Sequence, residues 1–146
     1  LKGASPKLYI LFVSFYIFRE TSTRNTSRMK GIKIAYWAST VLLTAIMCFS
    51  AYNYFFNNVM IRGFFEAMGY PIYLIYPMAI AKILGLIAIW GNFSKWLKEW
   101  AYAGFFFNAI LAFFAHVMIS DGQQLGAFLA FIFVLTSYFT GKRIRP

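Results

Sequence analysis

Four apolar runs, at 34–56, 72–90, 100–119 and 124–140, alternate along the chain with short polar or basic segments. A bilayer core about 30 Å thick needs about 20 mostly apolar helical residues to cross it, and the first three runs meet that length. The fourth is apolar only from Leu125 to Phe139, and it crosses by borrowing the polar flanks Gln123, Gln124 and Thr140 with local thinning and snorkelling. The pattern predicts an all-α, integral membrane four-helix bundle. Between the first two runs, Arg62 and Glu66 stand four residues apart among Phe64, Phe65 and Met68. That spacing fits a short interfacial helix held by an ion pair, or equally a solvated connector. Residues 8–18 are apolar for too few positions to span, no small-residue cleavage site follows them, and 21–27 is polar and reads as low in structure. Met29 opens a stretch that leads directly into the first run. The expected division is therefore a spurious or disordered leader at 1–28 and a four-span domain at 29–146.

Basic residues orient the spans. Lys30 and Lys33 precede the first, Lys95 and Lys98 join the second to the third, and Lys142, Arg143 and Arg145 follow the fourth, while Arg62 falls on the opposite side. Both termini are expected to be cytoplasmic, with 57–71 and 120–124 outside. Trp90, Trp96 and Trp100 at one level, and Tyr70, Tyr73 and Tyr76 at the other, mark the two interfaces.

Composition agrees with a lipid environment. Of 146 residues, 61% are hydrophobic, 22% aromatic and 12% charged, against roughly 25% charged in soluble domains. The pI of about 9.9 needs no nucleic acid, because the cations are distributed as a topology signal rather than as a stripe on a soluble face. The lone Cys48 excludes an intrachain thiol relay.

Lys82 is the one charged residue of 72–90. An ammonium at bilayer depth costs upward of about 2.5 kcal/mol, which by default marks function. Ala79 and Gly85 share its face, so it points inward against small residues. Counting at about 1.5 Å per residue, Lys82 and Asn108 lie at one level, with Asn53 and His116 nearer the outer surface. These four residues form a candidate ligand-binding path. Ser39, Ser50, Asn53 and Asn57 fall in one stripe of the first span, which reads as a helix contact. The acids Glu20, Glu66, Glu99 and Asp121 all lie outside the apolar runs. Lys82 is then a neutral amine, is met by Glu66 or Glu99 folding inward, or donates to an electron-rich ligand; a register-fixing lysine satisfied by carbonyls and Asn108 is the competing role. Pro77 frees the carbonyl of Tyr73 and kinks the span. Glu99 reads as a helix-opening carboxylate. No residues stand at metal spacing beside His116, and a haem would lack a second axial ligand.

The passages MGYPIYLIYPMAIAKILGLIAI, with Gly69, Pro71, Pro77, Lys82 and Gly85, and LKEWAYAGFFFNAILAFFAHVMISDG, with Glu99, Trp100, Gly104, His116 and Asp121, resemble the DoxX-like family of small bacterial membrane proteins. The resemblance covers 29 to about 144. It implies four spans, both ends inside, and a multi-pass place in the bacterial inner membrane. It also implies an acidic residue where Asn108 stands, so a charge pair with Lys82 is not expected here. DoxX and DoxD relatives include membrane subunits of a thiosulfate:quinone oxidoreductase and of oxidoreductase assemblies in oxidative-stress defence. The expected function is thus a quinone-binding or anchoring subunit of a membrane redox assembly, partnered by the lipid bilayer and other redox subunits. Independent enzyme activity and homo-oligomerisation stay open. The alternatives are a small-solute transporter working through Lys82 and a purely structural membrane partner.

Overall fold

Backbone N–H and C=O groups in hydrocarbon must satisfy one another, so apolar runs of this length fold as helices. The computed structural model describes residues 6–145. It contains α1 (Pro6–Phe56), α2 (Asn58–Ala67), a single 3-10 turn (Ile72–Leu74), α3 (Ile75–Gly91), α4 (Lys95–Ile119) and α5 (Gln124–Ile144). Four stretches are long and apolar enough to cross a membrane: Ile10–Phe56, Ile72–Gly91, Lys95–Ile119 and Gln124–Ile144. The chain divides into two compact units, Leu1–Ile34 and Ala35–Pro146, and α1 supplies residues to both.

In the first unit Ile10, Leu11, Phe12, Phe15, Tyr16 and Phe18 are exposed. The polar stretch after them is helical, although the sequence reads as low in structure there. Thr21 and Thr23 donate their hydroxyls to the carbonyls of Ile17 and Arg19, at 2.9 and 3.1 Å, the back-bonding by which threonine is accommodated inside a helix. The expected leader at 1–28 falls in part on residues 1–5, outside the described residues.

The second unit is the bundle. Ser50 meets Lys82 and Thr44 meets Trp90, so α1 and α3 run antiparallel. On the α4–α5 seam, Glu99 pairs with Tyr138, Tyr102 with Ser137, Phe106 with Phe131 and Phe113 with Phe128, a second antiparallel ladder. Leu43 and Met47 of α1, Leu86 and Ile89 of α3, Phe105 and Ala109 of α4, and Ala130 and Val134 of α5 close the core. Large apolar side chains such as Phe49, Phe107, Phe114 and Phe139 stay exposed, as suits a lipid-facing surface.

At one end α2 lays Ile61 and Phe65 over Ile75, with Tyr54, Phe64 and Met78 packed against them. Of the two readings left open for the 57–71 segment, the structure takes the short helix, without its ion pair. Arg62 donates from Nε to Asn58 Oδ1 one turn back, and Glu66 is exposed. Gly69, at φ +71°, makes the reversal out of α2 that a residue with a Cβ resists. Pro77 produces no mid-helix kink; it is the third residue of α3, in the first turn, where its missing N–H costs nothing. Helix α4 begins at Lys95, not at Trp100, because Ser94 is extended and Lys98 N–H bonds its carbonyl at 3.0 Å.

Close approach of α3 to α4 depends on Gly85. A Cβ there would lie 2.8 Å from the tip of the buried Phe105 ring and 3.2 Å from a second ring atom. Gly85→Ala is expected to destabilise the bundle by roughly 1–3 kcal/mol, the usual cost of overpacking. Phe105→Leu in the same chain should recover most of the loss. An unchanged thermal midpoint for Gly85→Ala in detergent would contradict this packing.

Candidate functional site

Lys82 is 4% exposed. Its Nζ donates to Ser50 Oγ at 2.8 Å and lies 3.9 Å from the centre of the Tyr54 ring. A lysine on a helix projects toward the helix N-terminus, so the ammonium reaches a turn or more above its own Cα, to the level of the last two turns of α1. The face of a tyrosine attracts a desolvated cation by about 2 kcal/mol or more. The ammonium therefore has one neutral acceptor and one aromatic face. Among the described residues no carboxylate pairs with it: Glu66 is exposed, and Glu99 is engaged elsewhere.

The other three residues selected from the sequence are not hydrogen-bonded to Lys82 or to one another. Asn108 is half-buried on α4 and makes no side-chain hydrogen bond among the described residues. Asn53 spends its amide on near neighbours in the chain, donating from Nδ2 to Phe49 O at 2.9 Å and accepting from Asn57 Nδ2, just past α1, at 2.6 Å. His116 meets Asp121 at 2.7 Å, and its ring stands 6.5 Å from that of Phe64. The residues that do touch the ammonium were legible only in part. Ser50 belongs to the polar stripe of the first span; Tyr54 has no sequence signal that separates it from the chain's other tyrosines.

A second polar constellation, absent from the sequence reading, lies in the core. Thr40 donates to Tyr36 O at 2.7 Å, so its single proton is committed. Ser137 must then donate to Thr40 Oγ1, at 2.7 Å, and Tyr102 to Ser137 Oγ, at 2.8 Å. This ordered row of hydroxyls joins α4, α5 and α1, and every oxygen in it has a partner. Near it, a clamp fastens the helix ends. Lys98 donates to Asn92 Oδ1 at 2.8 Å and to the carbonyl of Arg145, whose guanidinium donates to Trp90 O at 3.1 Å. Glu99 is the fifth residue of α4 and caps nothing: Tyr138 donates to Oε2 at 2.7 Å, and Lys142 lies 3.6 Å from Oε1.

In the 120–123 connection the ionised Asp121 carboxylate can only accept, so His116 Nδ1 bears the proton toward Oδ2 while Gln123 N–H donates to Oδ1 at 2.9 Å. Partial desolvation pushes the Asp121 carboxyl up, but the bonds from Gln123 and His116 outweigh it and hold the group below its ordinary value of 3.8. A carboxyl depressed in the folded state contributes stability that is complete above its unfolded value and is lost as pH falls through the folded one. Thermal midpoints in detergent should therefore drop below about pH 4, and Asp121→Asn should flatten that limb. Identical acid limbs in both chains would remove Asp121 from the account.

No curated protein and no solved structure matches the chain. The pattern of the DoxX-like family matches residues 38–138, the interval that holds Lys82 with both of its partners, the hydroxyl row from Thr40 to Ser137, and the His116–Asp121 pair. With four membrane-length helices in place and well over half of the sequence matched, the chain belongs to the DoxX-like family of multi-pass membrane proteins.

Proposed function

We propose that this chain is a bacterial inner-membrane subunit, with both termini cytoplasmic, that holds a quinone for a membrane redox assembly. The supporting observation is the state of Lys82. An ammonium has three donors; here one goes to Ser50 and the aromatic face of Tyr54 takes the charge. A donor remains, buried, with no carboxylate partner, and a quinone carbonyl is an electron-rich acceptor soluble in the bilayer. Asn108, whose side chain makes no hydrogen bond among the described residues, is the second group available to such a ligand. Asn53 and His116 are the further polar groups this reading assigns to the ligand's path, although each is bonded to a neighbour of its own. The quinone supplies its own electron chemistry, and the protein's part is to bind and orient it.

A structural role is the second reading, and one observation favours it. Lys82 and Trp90 both bond α3 to α1, as register-setting polar contacts between membrane helices do. Small-molecule mass spectrometry of the chain purified in mild detergent separates the two. The quinone reading expects a near-stoichiometric bound quinone; folded protein that retains none overturns it and leaves the structural reading.

A further inference from the structure

Membrane helices packed as a ladder leave grooves where small residues sit. Between α4 and α5 a groove of about 230 Å3 is lined by Ala103, Phe106, Leu135 and Phe139 and closes on Glu99 and Tyr138. Ala103 and Phe139 on its rim are exposed. From Glu99 to Phe106 it runs about 10 Å along α4. A helix about 10 Å across does not fit a space of this volume, whereas a single hydrocarbon chain does.

The end of the groove is charged in one sense. Lys95, Lys98, Lys142, Arg143 and Arg145 gather on the adjoining ends of α4 and α5 with Glu99 as their one acid. That acid is already held by Tyr138 and Lys142. Lys98 and Arg145 are bonded to neutral oxygens, those of Asn92, Arg145, Trp90 and Tyr36, so their charges are not cancelled. Lys95 lies one turn from Glu99 on the same face of α4, and Lys142 stands 4.4 Å over the Tyr138 ring that borders the groove. An apolar slot one chain wide that ends at a helix terminus in a cluster where cations outnumber the single carboxylate, Glu99, matches the two parts of an anionic lipid.

We propose that the α4–α5 groove binds one acyl chain of an anionic phospholipid, with its phosphate held at Lys95 and Lys142. This site is separate from Lys82 and does not depend on the quinone reading. A zwitterionic lipid offers the same chain but brings a cation to a cluster of cations. A neutral isoprenoid uses the slot without the lysines.

Native mass spectrometry of the full chain in detergent, titrated with phosphatidylglycerol or phosphatidylcholine of equal acyl length, tests this. One phosphatidylglycerol should bind, preferred by roughly 10-fold or more, as two surface cations supply. Lys95→Gln with Lys142→Gln should bring the preference close to parity while phosphatidylcholine binding is unchanged. Ala103→Trp, which fills the slot, should abolish retention of both lipids in a chain whose helical circular dichroism is native. Equal retention of the two lipids by the native chain, a preference that survives the double lysine change, or undiminished binding in folded Ala103→Trp would each overturn the proposal. If Ala103→Trp fails to fold, the lysine pair decides alone.

Discussion

Lys82→Met should empty the ligand site without weakening the bundle. The methionine side chain nearly matches the lysine stem in volume, so the space between α1 and α3 stays filled. The change removes a buried ammonium whose desolvation is only partly offset by one hydroxyl and one aromatic face. Even a buried ion pair can often be replaced by apolar residues of similar volume at no cost or with a gain of about 1–4 kcal/mol, and Lys82 has no carboxylate partner among the described residues to offset its burial. Ser50 is not orphaned, because a serine hydroxyl inside a helix can turn back to the carbonyl four residues earlier. The expected result is therefore a thermal midpoint equal to or above that of the native chain, together with loss of any bound quinone. Ser50→Ala should act differently: it leaves the ammonium in place with one acceptor fewer, and stability should fall. A Lys82→Met protein that retains as much quinone as the native chain refutes the role of Lys82 in binding. A large drop in its midpoint would instead make the Ser50–Lys82 contact a structural one.

The second large effect is expected at Ser137, which is 0% exposed and central to the hydroxyl row. Ser137→Ala leaves Tyr102 without its acceptor and Thr40 without its donor, in a site closed to water. A buried group left unpaired costs roughly 1–3 kcal/mol, more than the average hydrogen bond between membrane helices of about 0.6 kcal/mol. Tyr102→Phe removes one of the stranded groups. Adding it to Ser137→Ala should therefore cost less than the two single changes summed, the signature of side chains acting as one network. Strict additivity in thermal or chemical unfolding would show that the hydroxyls do not act together. Gly141 lies alongside: a Cβ there would come within 3.0 Å of the Tyr36 ring, so the row depends on a close approach of α5 to α1.

The spans were legible because hydropathy over about 20 residues is a local property that the bilayer reads directly. The segment 58–67 was legible only as one of two equal readings, a short helix or a solvated connector; the structure takes the helix, with Arg62 turned to Asn58 rather than to Glu66. Family membership was visible in the two passages around Lys82 and His116, and the match over 38–138 agrees with it. The helix starts were less accurate. Trp100 reads as the opening of the third span from charge alone, yet Lys95 and Lys98 are helical, since long basic side chains can lie at the interface while their backbone continues the helix.

The amino-acid sequence by itself determined that this chain is a helical membrane protein, that Lys82 is buried charge, and that no acid stands within the four apolar runs themselves. Tertiary structure alone decided what does. Depth counted along the backbone puts Lys82 level with Asn108, but a lysine extends toward the start of its helix, so its ammonium arrives beside Ser50 and Tyr54. Which faces of four similar helices meet is likewise a property of the packed whole. Small steps of rotation choose among many apolar surfaces of nearly equal energy in lipid, and only close packing of Gly85 on Phe105 and the matched hydroxyls of Thr40, Ser137 and Tyr102 select one.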